Sequence, residues 1–333
     1  MCKEYESLTF EEQIQLFEKR GLIINDKEKA KQKLQYINYY KLKELAYPFY
    51  ERDENGVYLY KNIDFEEIIK RYYQDKHIRL SILECTEKIE VAFKTRFCYL
   101  LGKKYGAYGY LKFNNWFDKE TYCKYYVSEK QGDFKKRLKE NSKLLDTHCI
   151  KEYIATQDKK IEDVKIPIWM LVEILTFGEI VYFYEMMSTS NKVEIANDFD
   201  ANYDEFLSWI KCLKFIRNKC THNLNIIDLK LKTKPKLREK WREWLLIDNN
   251  KQSSGKIADI LIPMVYLTIK INDKFIFNDL QRCINRLIHK DNEKARLLGF
   301  KDSHISMNFI DLLGGKFKKN RKISNRVIKR RLK

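Results

Sequence analysis

The chain has 333 residues, 44% of them hydrophobic and 34% charged, with 65 Lys and Arg against 47 Asp and Glu and a net charge of +18. That composition excludes a disordered chain, and no apolar run approaches the ~20 residues of a membrane-spanning helix. Such a positive surplus repels itself in a folded protein and is best neutralised by a polyanion; nucleic acid ranks above an anionic membrane, and plain solubility of a lysine-rich chain is the alternative.

Only 11 Gly and 4 Pro occur, which favours long helices with short connections. The fold class expected is mainly all-α. Thr9 stands three residues before Glu12, a capping-box spacing that opens a first helix, and Gly21 ends it. Asn25-Asp26 opens a second. An aromatic stretch follows, Asn38-Tyr39-Tyr40-Lys41-Leu42 and then Tyr47-Pro48-Phe49-Tyr50. Asp53-Glu54-Asn55-Gly56 before Val57-Tyr58-Leu59-Tyr60 signals one short hairpin.

From Asp64 to about Gly102, Ile78, Ile82, Ile89 and Phe93 recur at helical spacing. The charged residues between them read as a solvated face. Residues 103–118 are aromatic and broken by glycine, which fits either base stacking or a packed corner. A polar, lysine-rich helical stretch covers 119–165. Pro167 opens a helix expected to reach Phe177-Gly178, and another block spans 179–188. Asn202 or Asp204 caps the helix that carries Phe206, Trp209, Ile210 and Ile216 into Arg217. Residues 248–255 (Asp-Asn-Asn-Lys-Gln-Ser-Ser-Gly) read as a linker before a helical unit at about 256–290. From Lys316 to Lys333 there are ten Lys or Arg and no acid.

The eight cysteines are scattered with no Cys-x-x-Cys pair, so neither a zinc ribbon nor a redox motif is expected. The start, Met-Cys-Lys-Glu-Tyr-Glu, does not read as a secretory signal. Free thiols and a cytoplasmic location are the simplest expectation.

The segment Arg217-Asn218-Lys219-Cys220-Thr221-His222 carries the chemistry. Cleaving RNA without a metal needs a base for the ribose 2′-OH, a cation for the phosphate and an acid for the leaving 5′-oxygen. Histidine suits the first and last roles, and the arginine fork suits the second. Asn218, four residues before His222, shares its helix face and can orient the ring. Arg217 and His222 are five apart, about 140° around a helix, so their convergence needs a kink or a second copy of the chain. Similar loose spacings occur from Arg71 to His77 and from Arg282 to His289, the latter being the runner-up.

The ordered set from Leu8 to His222 resembles the Abi abortive-infection family within the HEPN ribonucleases. Its parts are Leu8-Thr9-Phe10-Glu11-Glu12, Arg20-Gly21-Leu22-Ile23-Ile24, Asn38 to Leu42, Asp75 with Ile78-Arg79, and Glu87-Lys88-Ile89-Glu90 with Arg96. Lys104-Tyr105-Gly106, Pro167-Ile168-Trp169-Met170, Glu173 and Phe177-Gly178 follow, and Arg217-Asn218 to His222 closes the set. The resemblance implies a HEPN-type helical bundle with a metal-independent ribonuclease site and no cofactor. It implies a homodimer whose two Arg-Asn…His motifs meet, and a toxin held in check by a structured non-coding RNA. Two features depart from the family. Asn223-Leu224-Asn225-Ile226 replaces the Arg-Leu-Trp-Asn run seen after the motif. Leu224 also stands where AMPylated relatives carry Tyr.

The expected organisation is a helical and aromatic region at 1–63, a HEPN-like core at 64–247, the linker, a helical unit at 256–313 and a basic tail at 314–333. Catalysis is expected from Arg217, Asn218 and His222. RNA contacts are expected from Lys214, Lys219, Arg79, Lys230 and Lys232, and in the tail from Lys318, Lys319, Arg321 and Arg330. The alternatives are a non-catalytic RNA-binding protein with the same fold and, more weakly, a DNA-binding regulator.

Overall fold

Side-chain caps set the helix starts. Thr9, Thr176 and Asn202 each close a capping box with a Glu three residues on, while Asp26, Asp64 and Asp302 cap through one carboxylate. The structure is a computed structural model describing residues 7–140, 148–157 and 165–316, positions 53 and 55 apart. Its helices are α1 (Phe10–Lys19), α2 (Lys27–Leu34), α3 (Tyr39–Ala46), α4 (Phe65–Tyr105), α5 (Lys124–Glu140), α6 (His148–Ala155), α7 (Ile168–Ile174) and α8 (Phe177–Met186). Then come α9 (Thr189–Asn197), α10 (Tyr203–Thr221), α11 (Glu239–Arg242), α12 (Ala258–Ile271), α13 (Asn278–Ile288), α14 (Asn292–Leu298) and α15 (Ser303–Leu312). Strands β1 (Tyr50–Arg52) and β2 (Tyr58–Tyr60) pair antiparallel as the expected hairpin, with Glu51 opposite Leu59. The fold is mainly α.

Helix α4 is the spine. Its 41 residues span about 60 Å at the α-helical rise, and α3, α7, α8, α9, α10, α12 and α13 all pack on it. Ile78, Ile82, Cys85, Ile89, Phe93, Phe97 and Leu100 form its buried stripe at the three- and four-residue spacing that keeps one helix face inward. The aromatic segment after α4 is a packed corner. Tyr110, Phe113, Trp116 and Phe117 are buried, and the Trp116 indole donates to the Tyr110 carbonyl at 3.0 Å.

Two expectations are corrected. The helix opened by Pro167 stops at Ile174, because Thr176 caps a new helix with Glu179. Residues 248–255 are a packed turn, not a free linker: Ser253 is buried, and the Gly255 carbonyl accepts from the Leu231 amide at 2.6 Å. The reason lies in α12, which is buried on every side from Ala258 to Thr268. A helix apolar all round must be covered all round, so the chain beyond residue 256 shares one continuous core with α4 and α10. Arg238 strengthens the join, its guanidinium 5.2 Å from the Trp209 and Trp241 rings and 4.5 Å from Tyr266. No helix among the described residues is long and apolar enough to cross a membrane. The tail residues Lys318, Lys319, Arg321 and Arg330 lie outside the described residues.

Candidate active site and nucleic-acid groove

Helix α10 buries Phe206, Trp209, Ile210, Leu213, Ile216 and Cys220. Its outer face carries Lys211, Phe215, Asn218 and His222 at spacings of four, three and four, with Lys214 and Lys219 alongside. The helix stays regular to Thr221, and His222 is its C-cap. Asn223 follows in the left-handed region at φ 56°. Its amide donates to the Cys220 carbonyl at 3.2 Å, and the Leu224 amide donates to the Lys219 carbonyl at 2.9 Å. These are the two bonds of a Schellman ending, with asparagine in the position glycine usually takes.

Three charged residues of α4 hold the segment that leaves this cap. Arg71, Asp75 and Arg79 are spaced by four and so share one helix face. Arg79 donates through Nε to Asp75 Oδ2 at 2.8 Å and through Nη1 to Asn223 Oδ1 at 2.7 Å. The other Asp75 oxygen accepts the Ile226 and Ile227 amides at 2.9 and 3.3 Å. Arg71 grips both oxygens of Asp228 at 2.8 and 3.0 Å. From α3, Lys41 donates to the Asn223 carbonyl. Asp75 and Arg79 are both buried. Arg79, expected on the RNA, therefore organises the loop after His222.

Arg217 goes elsewhere. It lies about 140° around the helix from His222, with Nη2 3.7 Å from Glu90 Oε2 on α4 and Nη1 3.4 Å from its neighbour Asn218 Oδ1. With no kink in α10, one chain does not bring Arg217 to the His222 face. The exposed His222 ring instead lines a groove of about 800 Å³ with Lys41, Tyr72, Lys76 and Leu80. Burial holds the Lys41 amine below its usual value.

A second groove, of about 1160 Å³, adjoins the first; Tyr40 and Glu44 line both. Lys214, Lys219, Lys230 and Lys232 all line this second groove. Four lysines expected on RNA are thus gathered in one place, the first pair from α10 and the second from the segment after it. Sequence reasoning missed Lys43, Lys211, Tyr47 and Phe215, which line it too. The only sequence signal was for the α10 pair, whose spacing matches Asn218 and His222.

The runner-up histidine is in a different place. Arg282 is 3.7 Å from Asp279, while His289 and His77 line a cleft between α4 and α13 with Lys70 and Arg286. Among the described residues, no three His, Cys, Asp or Glu side chains cluster as a metal site.

Of known proteins, no curated protein and no solved structure matches the chain. A family model described as Abi-like protein matches residues 32–228, which include α3, α4, α10 and the Asp75–Arg79–Asn223 network. The match covers more than half of the chain, and the chain belongs to the Abi-like protein family.

Proposed function

We propose that the chain is a metal-independent endoribonuclease of the HEPN type. Membership of the Abi-like family suggests a part in abortive infection. In the proposed reaction the ribose 2′-oxygen attacks the adjacent phosphorus and its proton passes to a base. The bond from phosphorus to the 5′-oxygen breaks, and that oxygen takes a proton. The products are a 2′,3′-cyclic phosphate and a free 5′-hydroxyl. His222 is the base or the acid, and Lys41 is the cation beside it in the same groove. Asn218, one turn before His222 on the same face of α10, orients its ring, while Arg217 comes from a second copy of the chain, as does the second proton-transfer group, that copy's own histidine.

The observation that carries this reading is the joining of the His222 groove to the lysine groove through Tyr40 and Glu44. A polyanion bound along the lysines would run to an exposed histidine whose loop is held by α3 and α4. The dimer reading has its own support. Arg217 and His222 face apart on α10, and exposed Leu80 and Leu224 offer apolar surface in the His222 groove. A structured RNA partner would compete for the same lysines and restrain the toxin.

The test is RNA decay in EDTA with wild-type protein and His222→Ala. We expect cleavage by the wild type alone, with cyclic phosphate ends. Unchanged cleavage by the variant, or wild-type cleavage abolished by EDTA, rejects the proposal. The separation of Arg217 from His222 within one chain favours a second reading, a non-catalytic RNA-binding protein. Tight RNA binding by wild-type protein that never cuts RNA supports that reading.

A further inference from the structure

The larger groove carries more than charge. Lys43, Lys214, Lys219, Lys230 and Lys232 line it, and none has a carboxylate partner among the described residues. The acids in the groove are already engaged. Arg71 grips Asp228, Lys211 pairs with Glu185, and Lys41 lies 3.8 Å from Glu44. The free charge facing the groove is therefore positive.

Three aromatic rings line the same groove. Tyr40 is 72% exposed, Tyr47 71% and Phe215 40%. Single exposed aromatics are ordinary on any surface. Three in one lysine-lined groove are a different matter, because none of them fills the core. Lys43 lies 5.8 Å from the Tyr40 ring centre and Lys219 5.4 Å from that of Phe215. Each flexible ammonium can turn to a phosphate while a base takes the ring face it leaves.

We infer that this groove binds an unpaired RNA strand, with bases stacked on Tyr40, Tyr47 and Phe215 and phosphates on the lysines, and delivers it to His222. A duplex keeps its bases stacked on one another and presents phosphates and ribose hydroxyls across a shallow groove. It would use the lysines and leave the three rings without bases. Alternating lysines and exposed rings are what an unpaired backbone and its splayed bases need. Tyr40 also lines the His222 groove, so a base stacked there lies at the junction of the two. The choice of RNA over DNA rests on the ribonuclease reading; the choice of unpaired over paired strand does not.

The experiment measures binding with His222→Ala protein, so that cleavage cannot intrude. A short labelled oligouridine is compared with a blunt RNA duplex of equal length by fluorescence anisotropy. Tyr40→Ala, Tyr47→Ala and Phe215→Ala are added singly, with Tyr40→Phe as the ring-keeping control and thermal melts to verify folding. We expect tighter binding of the oligouridine, weakened about tenfold or more by each alanine, little changed by Tyr40→Phe, and duplex binding indifferent to all four. Equal binding of the two RNAs, or alanine variants that bind oligouridine normally, overturns the inference. If that happens while wild-type protein still cuts RNA through His222, the groove assignment alone falls. If the binding pattern holds and wild-type protein never cuts RNA, the groove stands and the ribonuclease reading falls.

Discussion

Arg79 donates to the side chain of Asn223 at 2.7 Å across 144 positions of sequence. Together with Asp75, it ties the middle of α4 to the residue that follows His222. The pair is an expensive thing to bury, and removing one member strands the other charge away from water. We expect Asp75→Ala to lower stability by about 3–5 kcal/mol, measured by urea unfolding. Arg79→Lys keeps a charge but loses the fork that reaches both Asp75 and Asn223. It should reduce cleavage more than it reduces RNA binding. A loss confined to stability would make the network merely structural.

Arg217 and His222 lie on different faces of α10, so the proposed site needs two chains. Arg217→Ala should lower cleavage by roughly 10²–10³-fold, as loss of a charge-stabilising donor does. A mixed dimer of wild-type and His222→Ala chains, made by unfolding and refolding them together, should cut no RNA, because each centre draws on both histidines. Activity in mixed dimers isolated and verified by mass would mean that one histidine suffices. A fully active monomer would sink the two-chain arrangement.

Lys230 and Lys232 line the groove without carboxylate partners among the described residues. Removing one phosphate-neutralising lysine should make the slope of log affinity against log salt shallower by about 0.7 for a single strand. Lys230→Gln and Lys232→Gln should each show this with an unpaired RNA. His77→Ala, in the separate cleft beside α13, should leave both slope and cleavage unchanged.

Burial pushes the Cys85, Cys212 and Cys220 thiols up from 9.0 to about 12. Between pH 9 and 12 the unfolded chain has lost these protons and the folded chain has kept them. Their contribution to stability is thus complete below pH 9 and is lost as pH rises toward 12. Urea midpoints should fall across that window, and Cys212→Ala should flatten the fall. A midpoint constant from pH 8 to 11 would contradict the burial of these thiols.

The same burial predicts a pattern of chemical modification. Cys123 and Cys149 are exposed, whereas Cys85, Cys212 and Cys220 are enclosed. Iodoacetamide on the folded protein should label the first two well before the other three, as read by peptide mass. Equal labelling of all five would mean that α10 and α4 open readily.

Local chemistry made much of the fold legible. Thr9 with Glu12 and Asn202 with Glu205 announce helix starts within four residues, and both helices begin there. Thr176 with Glu179 carries the same signature and was hidden only by apolar periodicity running through it. Distant partners were not legible. Asp75, one turn before Arg79, is a partner the spacing offers, but Asn223, which accepts the other end of the guanidinium, lies 144 positions away. The turn at 248–255 has a linker's composition, but Asp248 satisfies the Asn250 and Gln252 amides and Ser253 points inward. Lys214 and Lys219 could be read from α10 spacing, whereas Tyr40 and Tyr47 reach that groove from a segment far upstream.

The three α4 anchors, Arg71, Asp75 and Arg79, leave the ribosome some 144–157 residues before their partners Asn223, Ile226, Ile227 and Asp228. At ordinary translation rates of about 5–20 residues per second that interval is about 7–31 s. Throughout it the nascent chain carries an acid and two guanidinium groups with nothing to close over them. The His222 loop can lock only when residue 228 emerges, so the proposed active centre has a birth time within synthesis, and a chain halted earlier is made without it.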